Sequence, residues 1–249
     1  SPTWNIYTMN RTVANYDFSD KTVLVLGGSK GIGFGVVSQF ANSGANVYYL
    51  SRTPNPGNVG THIEVDLRDR DSLRLVLDEI ENLEVDILVN CSAINYAKRH
   101  DDIDPSEWDD VFQVNVSTAF LVCNSVLKHM KAQNYGKIVN VSSIAGRHRS
   151  IVSGIHYVSS KAALIGYTRQ LSYEVGHYNI NVNSVCPSQT KTEMYAATMT
   201  PEKEVELLKG IPLGRVATVE EQVGVIIFLC SDSASYIAGA VIDVNGGQI

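Results

Sequence analysis

The chain has 249 residues, of which 44% are hydrophobic and 18% charged, and its formal net charge is −6. That length and balance suit one generous α/β domain with a substantial core, and an acidic chain without a long basic block argues against nucleic acid or anionic membrane as partners. No apolar run approaches the ~20 residues of a spanning helix, and the start SPTWNIYTMNRT is too polar for a signal peptide.

Residues 1–20 lack periodicity and read as a surface arm ahead of one domain over 21–249. Lys21-Thr-Val-Leu-Val-Leu26 is a continuous apolar strand, the kind covered on both faces. Gly27-Gly-Ser-Lys-Gly31-Ile-Gly33 follows at once, and a helix continues through Val36–Ala41 to end near Ser43-Gly44. Residues 46–50 and 62–66 are strands, 70–83 an amphipathic helix, and 86–90 a fourth strand. A long helix is expected over Pro105–Met130, with Asp104 as cap and Pro105 in its first turn. A fifth strand spans 138–141, a helix opens near Tyr157, and 180–186 is a sixth strand. Thr218 and Glu221 make a capping-box pattern for a helix to Ser231, and 240–244 is the seventh strand. Strands alternate with helices, which predicts a doubly wound seven-stranded parallel sheet of Rossmann type with helices on both faces. Three of the four cysteines (Cys91, Cys123, Cys186, Cys230) lie in apolar segments. No CxxC or Cys/His cluster suggests a metal, and they read as reduced core residues of a cytoplasmic protein.

Two stretches carry chemistry. A glycine-rich turn between a buried strand and a helix lets backbone approach a pyrophosphate. An acid after the second strand would bind a ribose 2′-hydroxyl, but Ser51-Arg52 stands there. A hydroxyl and a guanidinium, with Lys30 from the turn, suit a 2′-phosphate, so NADP is the expected cofactor. The second stretch ends the fifth strand with Ser142-Ser143 and places Tyr157 and Lys161 one helical turn apart. One hydroxyl could hold a substrate oxygen while the other exchanges its proton, with the ammonium stabilising phenolate.

In combination these motifs resemble the short-chain dehydrogenase/reductase family, of compact single-domain type, from about Lys21 to the C-terminus. The ordered matches are the turn 27–33, Asp66, Asn90-Cys-Ser-Ala93, Asn115, Ser143, Tyr157, Lys161, Pro187-Ser188 and Asn245-Gly-Gly247. The resemblance implies Tyr157 as general acid/base and Ser143 orienting the substrate oxygen. Lys161 would bind nicotinamide ribose and lower the Tyr157 pKa, and Asn115 would hold a relay water. It places Gly27, Ser29, Lys30, Gly31, Ile32, Gly33, Ser51, Arg52, Asp66, Leu67, Asn90, Pro187, Thr190 and Thr192 around the cofactor. Of these, Asp66 would contact the adenine, Asn90 support the adenosine side, and Thr190 and Thr192 hold the carboxamide end. Leu26, Cys91-Ser-Ala93 and Ser188 depart from the family pattern in the cofactor cradle. The family also implies pairing of the long helix with the Tyr157 helix about a two-fold axis, as a homodimer or homotetramer.

The expected activity is NADP-dependent interconversion of a ketone and a secondary alcohol. A non-catalytic nucleotide sensor would be expected to lack one of Ser143, Tyr157 or Lys161. The triplets Lys98-Arg-His100 and Arg147-His-Arg149, with Tyr96, suggest a phosphate or carboxylate on the substrate; the other reading is that they are solvent-facing loop charges. The alternative is a 3-ketoacyl reductase on carrier-bound substrates, although Tyr173 replaces the arginine such enzymes often carry before Glu174-Val175.

Overall fold

Thr22-Val-Leu-Val-Leu26 can hide both of its apolar faces only as a strand covered on two sides. It forms β1 (Thr22–Leu26) near the middle of a parallel sheet in a computed structural model that describes residues 14–249. Residues 1–13, which hold most of the expected arm, lie outside the described residues. Beside β1 stand β2 (Asn46–Ser51), β3 (Thr61–Glu64), β4 (Ile87–Asn90), β5 (Gly136–Val141), β6 (Ile180–Pro187) and β7 (Val241–Val244), in the order β3-β2-β1-β4-β5-β6-β7. Every pairing is parallel. The winding reverses where β1 meets both β2 and β4, which opens a crevice beyond the strand ends.

The helices are α1 (Gly31–Asn42), α2 (Arg70–Glu81), α3 (Pro105–Phe112), α4 (Thr118–Gln133), α5 (Ile144–Arg147), α6 (Ile155–Val175), α7 (Glu193–Thr198), α8 (Pro201–Leu208) and α9 (Val219–Cys230). Alternation along β1 divides the core. Val23 and Val25 pack with Val36 and Phe40 of α1 and Ile226 of α9. Leu24 and Leu26 pack with Leu73 of α2, Val122 and Val126 of α4, and Leu171 of α6.

The expected long helix runs on to Gln133, but Gln113–Ser117 widen it into a π turn. Asp104 and Glu107 form a capping box at its start, a device that contributes about 1 kcal/mol. By length and composition Pro105–Gln133 could cross a membrane, contrary to the sequence reading. That reading counted unbroken apolar runs, whereas this helix mixes apolar residues with buried Asn115, Thr118 and Ser125 and is mostly packed inside the protein. The chain after β6 contains two helices that the sequence reading did not assign, α7 and α8. Thr192 and Thr200 cap them, accepting from Tyr195 N–H (3.2 Å) and Lys203 N–H (3.3 Å).

Candidate active site

Where β5 ends, Ser142 donates its hydroxyl to the Lys161 carbonyl (2.8 Å), tying the strand to α6. Ser143 caps α5, its Oγ accepting from Ala145 N–H at 3.1 Å, and the same hydroxyl lies near enough to the Tyr157 phenol to influence its proton. Lys161 is buried; its Nζ donates to the Val141 carbonyl (2.8 Å) and lies 5.7 Å from the Tyr157 ring centroid. The three side chains therefore converge at the ends of β5 and β6.

Their electrostatics differ from the sequence expectation. Burial pushes the Tyr157 phenol above its ordinary pKa, and Ser143 pulls the other way. Burial also takes Lys161 down to about 8. Desolvation is the largest influence on both groups, and the Lys161 ammonium is held by the Val141 carbonyl.

The lowered Lys161 pKa is also a statement about stability. Below about pH 8 both folded and unfolded chains carry the ammonium, and the folded chain bears the cost of burying it. Between about 8 and 10.5 only the unfolded chain keeps the proton, so this contribution to stability rises with pH. Lys161→Met is thus expected to be more stable than wild type at neutral pH by about 1–2 kcal/mol, net of the orphaned Val141 carbonyl. Thermal melts should show the gap closing toward pH 10. A gap independent of pH would place its origin elsewhere.

Asn115, inside the π turn, uses its side chain as a clamp. Oδ1 accepts from Ile94 N–H (2.9 Å), and Nδ2 donates to the Ile94 carbonyl (3.1 Å) and to Ser160 Oγ (3.0 Å). Its side-chain amide thus ties the chain after β4 to Ser160 of α6. Ser160 in turn donates to the Tyr157 carbonyl (2.8 Å), so one network joins that chain to the Tyr157 turn.

The glycine turn lies in the crevice. Gly27 has φ +81°, and a Cβ there would come within 2.9 Å of Ser92 Cα, so the turns after β1 and β4 touch. A Cβ on Gly33 would sit 2.0 Å from the Gly27 carbonyl oxygen, which excludes any larger residue. Ser29 and Ile32 are partly exposed along this turn. The Lys30 side chain does not cap α1, leaving its first-turn amides without a side-chain acceptor. The Thr192 methyl lies over Gly31, and Thr190 is pinned by donation to the Ser188 carbonyl (3.1 Å) just past Pro187.

Most of the remaining residues expected around the cofactor also have partners within the chain. Asn90 is buried and gives its amide to Asn140 Oδ1, whose own amide donates to Thr168 Oγ1 (2.9 Å). It braces the sheet against α6, because its side chain points inward at a register pair with Asn140. The Leu67 side chain belongs to the core. Asp66 is paired with Arg68 at 2.7 Å, which holds its carboxyl below the usual range. Ser51 donates its hydroxyl to the Thr53 carbonyl (2.7 Å), leaving Arg52 exposed beside it.

The basic triplets are partly neutralised. Lys98 pairs with Glu107 at 2.6 Å and Arg147 with Asp243 at 3.1 Å, while His148 and Arg149 are exposed. Tyr96 places its hydroxyl 3.5 Å from Asp110 Oδ2 and its ring 5.9 Å from that of His156. Sequence reasoning gave His156 no specific task. It is fully buried, and its Nδ1 accepts from Tyr157 N–H at 2.9 Å. A histidine in the first turn of a helix whose cap position is a glycine is the signal that could have found it.

Residues 27–248 match the family model described as enoyl-(acyl carrier protein) reductase. A 3-oxoacyl-[acyl-carrier-protein] reductase from Aquifex aeolicus is 36% identical over 92% of this chain and 97% of that protein. Among solved structures, one from Beutenbergia cavernae, named for an NAD(P)-dependent gluconate 5-dehydrogenase and carrying NADP, is similar at TM-score 0.87 and 30% identity. The match covers 94% of this chain and 99% of that one. A 3-oxoacyl-[acyl-carrier protein] reductase from Brucella melitensis with bound NAD is similar at TM-score 0.83 and 28% identity, over 96% and 97% of the two chains.

Proposed function

The chain belongs to the short-chain dehydrogenase/reductase family, and from that premise we propose that it interconverts a ketone and a secondary alcohol with NADP. The observation that carries this reading is the nearness of the Ser143 and Tyr157 hydroxyls, with the buried Lys161 ammonium beside the ring. Two hydroxyls at one point suit a carbonyl oxygen, which gains negative charge as it is reduced. Tyr157 gives its proton to that oxygen, and Ser143 donates a hydrogen bond that fixes the oxygen's position. Asn115 acts at one remove, holding Ile94 and, through Ser160, the Tyr157 turn.

A dinucleotide fits the residues present. The glycine turn leaves no room for side chains, and the uncapped first turn of α1 offers its amides to a pyrophosphate. Ser29, Lys30, Ile32 and Thr192 border that place; Pro187 and Thr190 would flank the nicotinamide end, and Lys161 its ribose. When bound, the nicotinamide supplies or accepts the hydride.

A second reading, reduction of a 3-oxoacyl group on a carrier, draws support from the Aquifex aeolicus relative. The ion pairs at Lys98 and Arg147 also weaken the case for a small anionic substrate. Tyr173, exposed where such enzymes often carry arginine, stands against it. The test is reduced-nicotinamide absorbance with simple ketones, acidic ketones and 3-oxoacyl thioesters. No oxidation with any of them would sink the enzyme reading, and a marked preference for thioesters would select the second.

Assembly is part of the same proposal. Trp108 on α3, Phe120 on α4 and Tyr173 on α6 leave large apolar surfaces exposed, which suits pairing of these helices with a second copy. Light scattering is expected to give the mass of two or four chains. A stable monomer at micromolar concentration would refute the pairing.

A further inference from the structure

We propose that His62 and Tyr49 form a bracket that sets the Arg52 turn in shape for the 2′-phosphate of NADP, making His62 a positioning residue for cofactor choice. This inference rests on the NADP reading above.

Tyr49 is buried at the centre of β2, and three parts of the crevice rest on it. Gly28 of the glycine turn lies so close that a Cβ there would come within 2.5 Å of Tyr49 Cβ. The Tyr49 ring stacks on His62, with centroids 5.0 Å apart and planes 23° apart. Its hydroxyl accepts from Asn55 N–H at 3.1 Å. The backbones that carry Lys30 and Arg52 are therefore referred to one buried aromatic ring.

His62 completes the bracket. Its Nε2 lies 2.9 Å from the Ser51 carbonyl, to which it donates as the Nε2–H tautomer. That carbonyl also accepts from Val65 N–H at 3.1 Å. It belongs to the peptide unit whose N–H is that of Arg52, so the two donors fix the direction in which Arg52 leaves β2. Beyond Arg52 the turn is closed by Ser51 Oγ on Thr53 O, and by Asn55, whose amide spans Val59 O (2.8 Å) and Val59 N–H (2.9 Å). Asn55 is buried in a loop whose neighbours are exposed, the mark of a loop held from within. A turn ordered in advance leaves less entropy for the phosphate contact to overcome.

The test uses equilibrium titration of NADP and NAD against wild type, His62→Phe, His62→Gln and Tyr49→Phe. His62→Phe keeps an aromatic ring on Tyr49 and removes the donor. It should weaken NADP by about 3- to 10-fold, the worth of one neutral hydrogen bond, while NAD changes less than about two-fold. His62→Gln, which restores a donor at similar reach, should recover most of the loss, and Tyr49→Phe should act in the same direction as His62→Phe. In an Arg52→Ala background His62→Phe should add nothing. Without any cofactor, amide hydrogen exchange at Asn55 and Val59 should quicken in His62→Phe.

Equal weakening of both cofactors would make His62 a general fold residue and overturn the inference. So would unchanged NADP affinity in His62→Phe while wild type still prefers NADP, a result that leaves the cofactor reading standing. A wild type without preference between the cofactors would overturn both.

Discussion

Tyr157→Phe is expected to lower turnover by at least about 10²- to 10⁴-fold, the range for a lost acid–base group, with cofactor binding intact. The substitution removes one oxygen and keeps the ring that packs beside Lys161. Ser143 loses its phenol neighbour but keeps the Ala145 N–H, so α5 remains capped. Burial and Ser143 act on the Tyr157 proton in opposite senses, with burial the larger. Lys161→Ala should differ, damaging turnover and cofactor affinity together, because Lys161 would face the ribose as well as the ring. Steady-state kinetics and cofactor titration of the two variants separate the roles. Near-normal reduction of the best substrate by Tyr157→Phe would remove Tyr157 from the chemistry.

The sheet was legible because its signals are local. β1 announces itself by continuous apolar residues, and the capping boxes at Asp104/Glu107 and Thr218/Glu221 mark helix starts within four residues of chain. Thr192 and Thr200 were equally local signals for α7 and α8, which the sequence reading did not assign. The π turn was not legible, since it depends on Asn115 reaching Ile94 and Ser160 from the middle of a helix. The Arg147–Asp243 pair was not legible, since its members lie 96 positions apart in the chain. The Asn90–Asn140 contact was hidden in the same way, since only the register of β4 and β5 brings the two together. The Tyr157–Lys161 spacing was readable, but the direction of the phenol's shift was not. That direction depends on how much water the fold removes, which no spacing records.

Arg52→Ala is expected to weaken NADP by about 10- to 150-fold and leave NAD nearly unchanged. The two cofactors differ only in a phosphate on the adenosine ribose, and a hydrogen bond to a charged group is worth about 1.5–3 kcal/mol. Ser51 cannot donate to that phosphate in this turn, because its hydroxyl is given to Thr53. Discrimination therefore falls on the exposed Arg52, with Lys30 as a looser point charge across the glycine turn. Asp66, the nearby acid that could oppose a phosphate, is already held by Arg68 at 2.7 Å. Arg52 exerts only the weakest of the attractions on that carboxyl, so its guanidinium is not committed to it. Arg52→Ala is a cleaner probe than Ser51→Asp, which would repel the phosphate but also break the bond to Thr53 and disturb the turn. Lys30→Ala should cost less than Arg52→Ala, since an exposed, flexible ammonium is weakened by solvent screening. Both oxidised cofactors should be titrated at one stated salt concentration and again at a higher one. Screening should weaken NADP in wild type more than NAD, and that difference should shrink in Arg52→Ala. Equal affinity of wild type for the two cofactors would mean that Arg52 points into solvent, and the NADP assignment would fall.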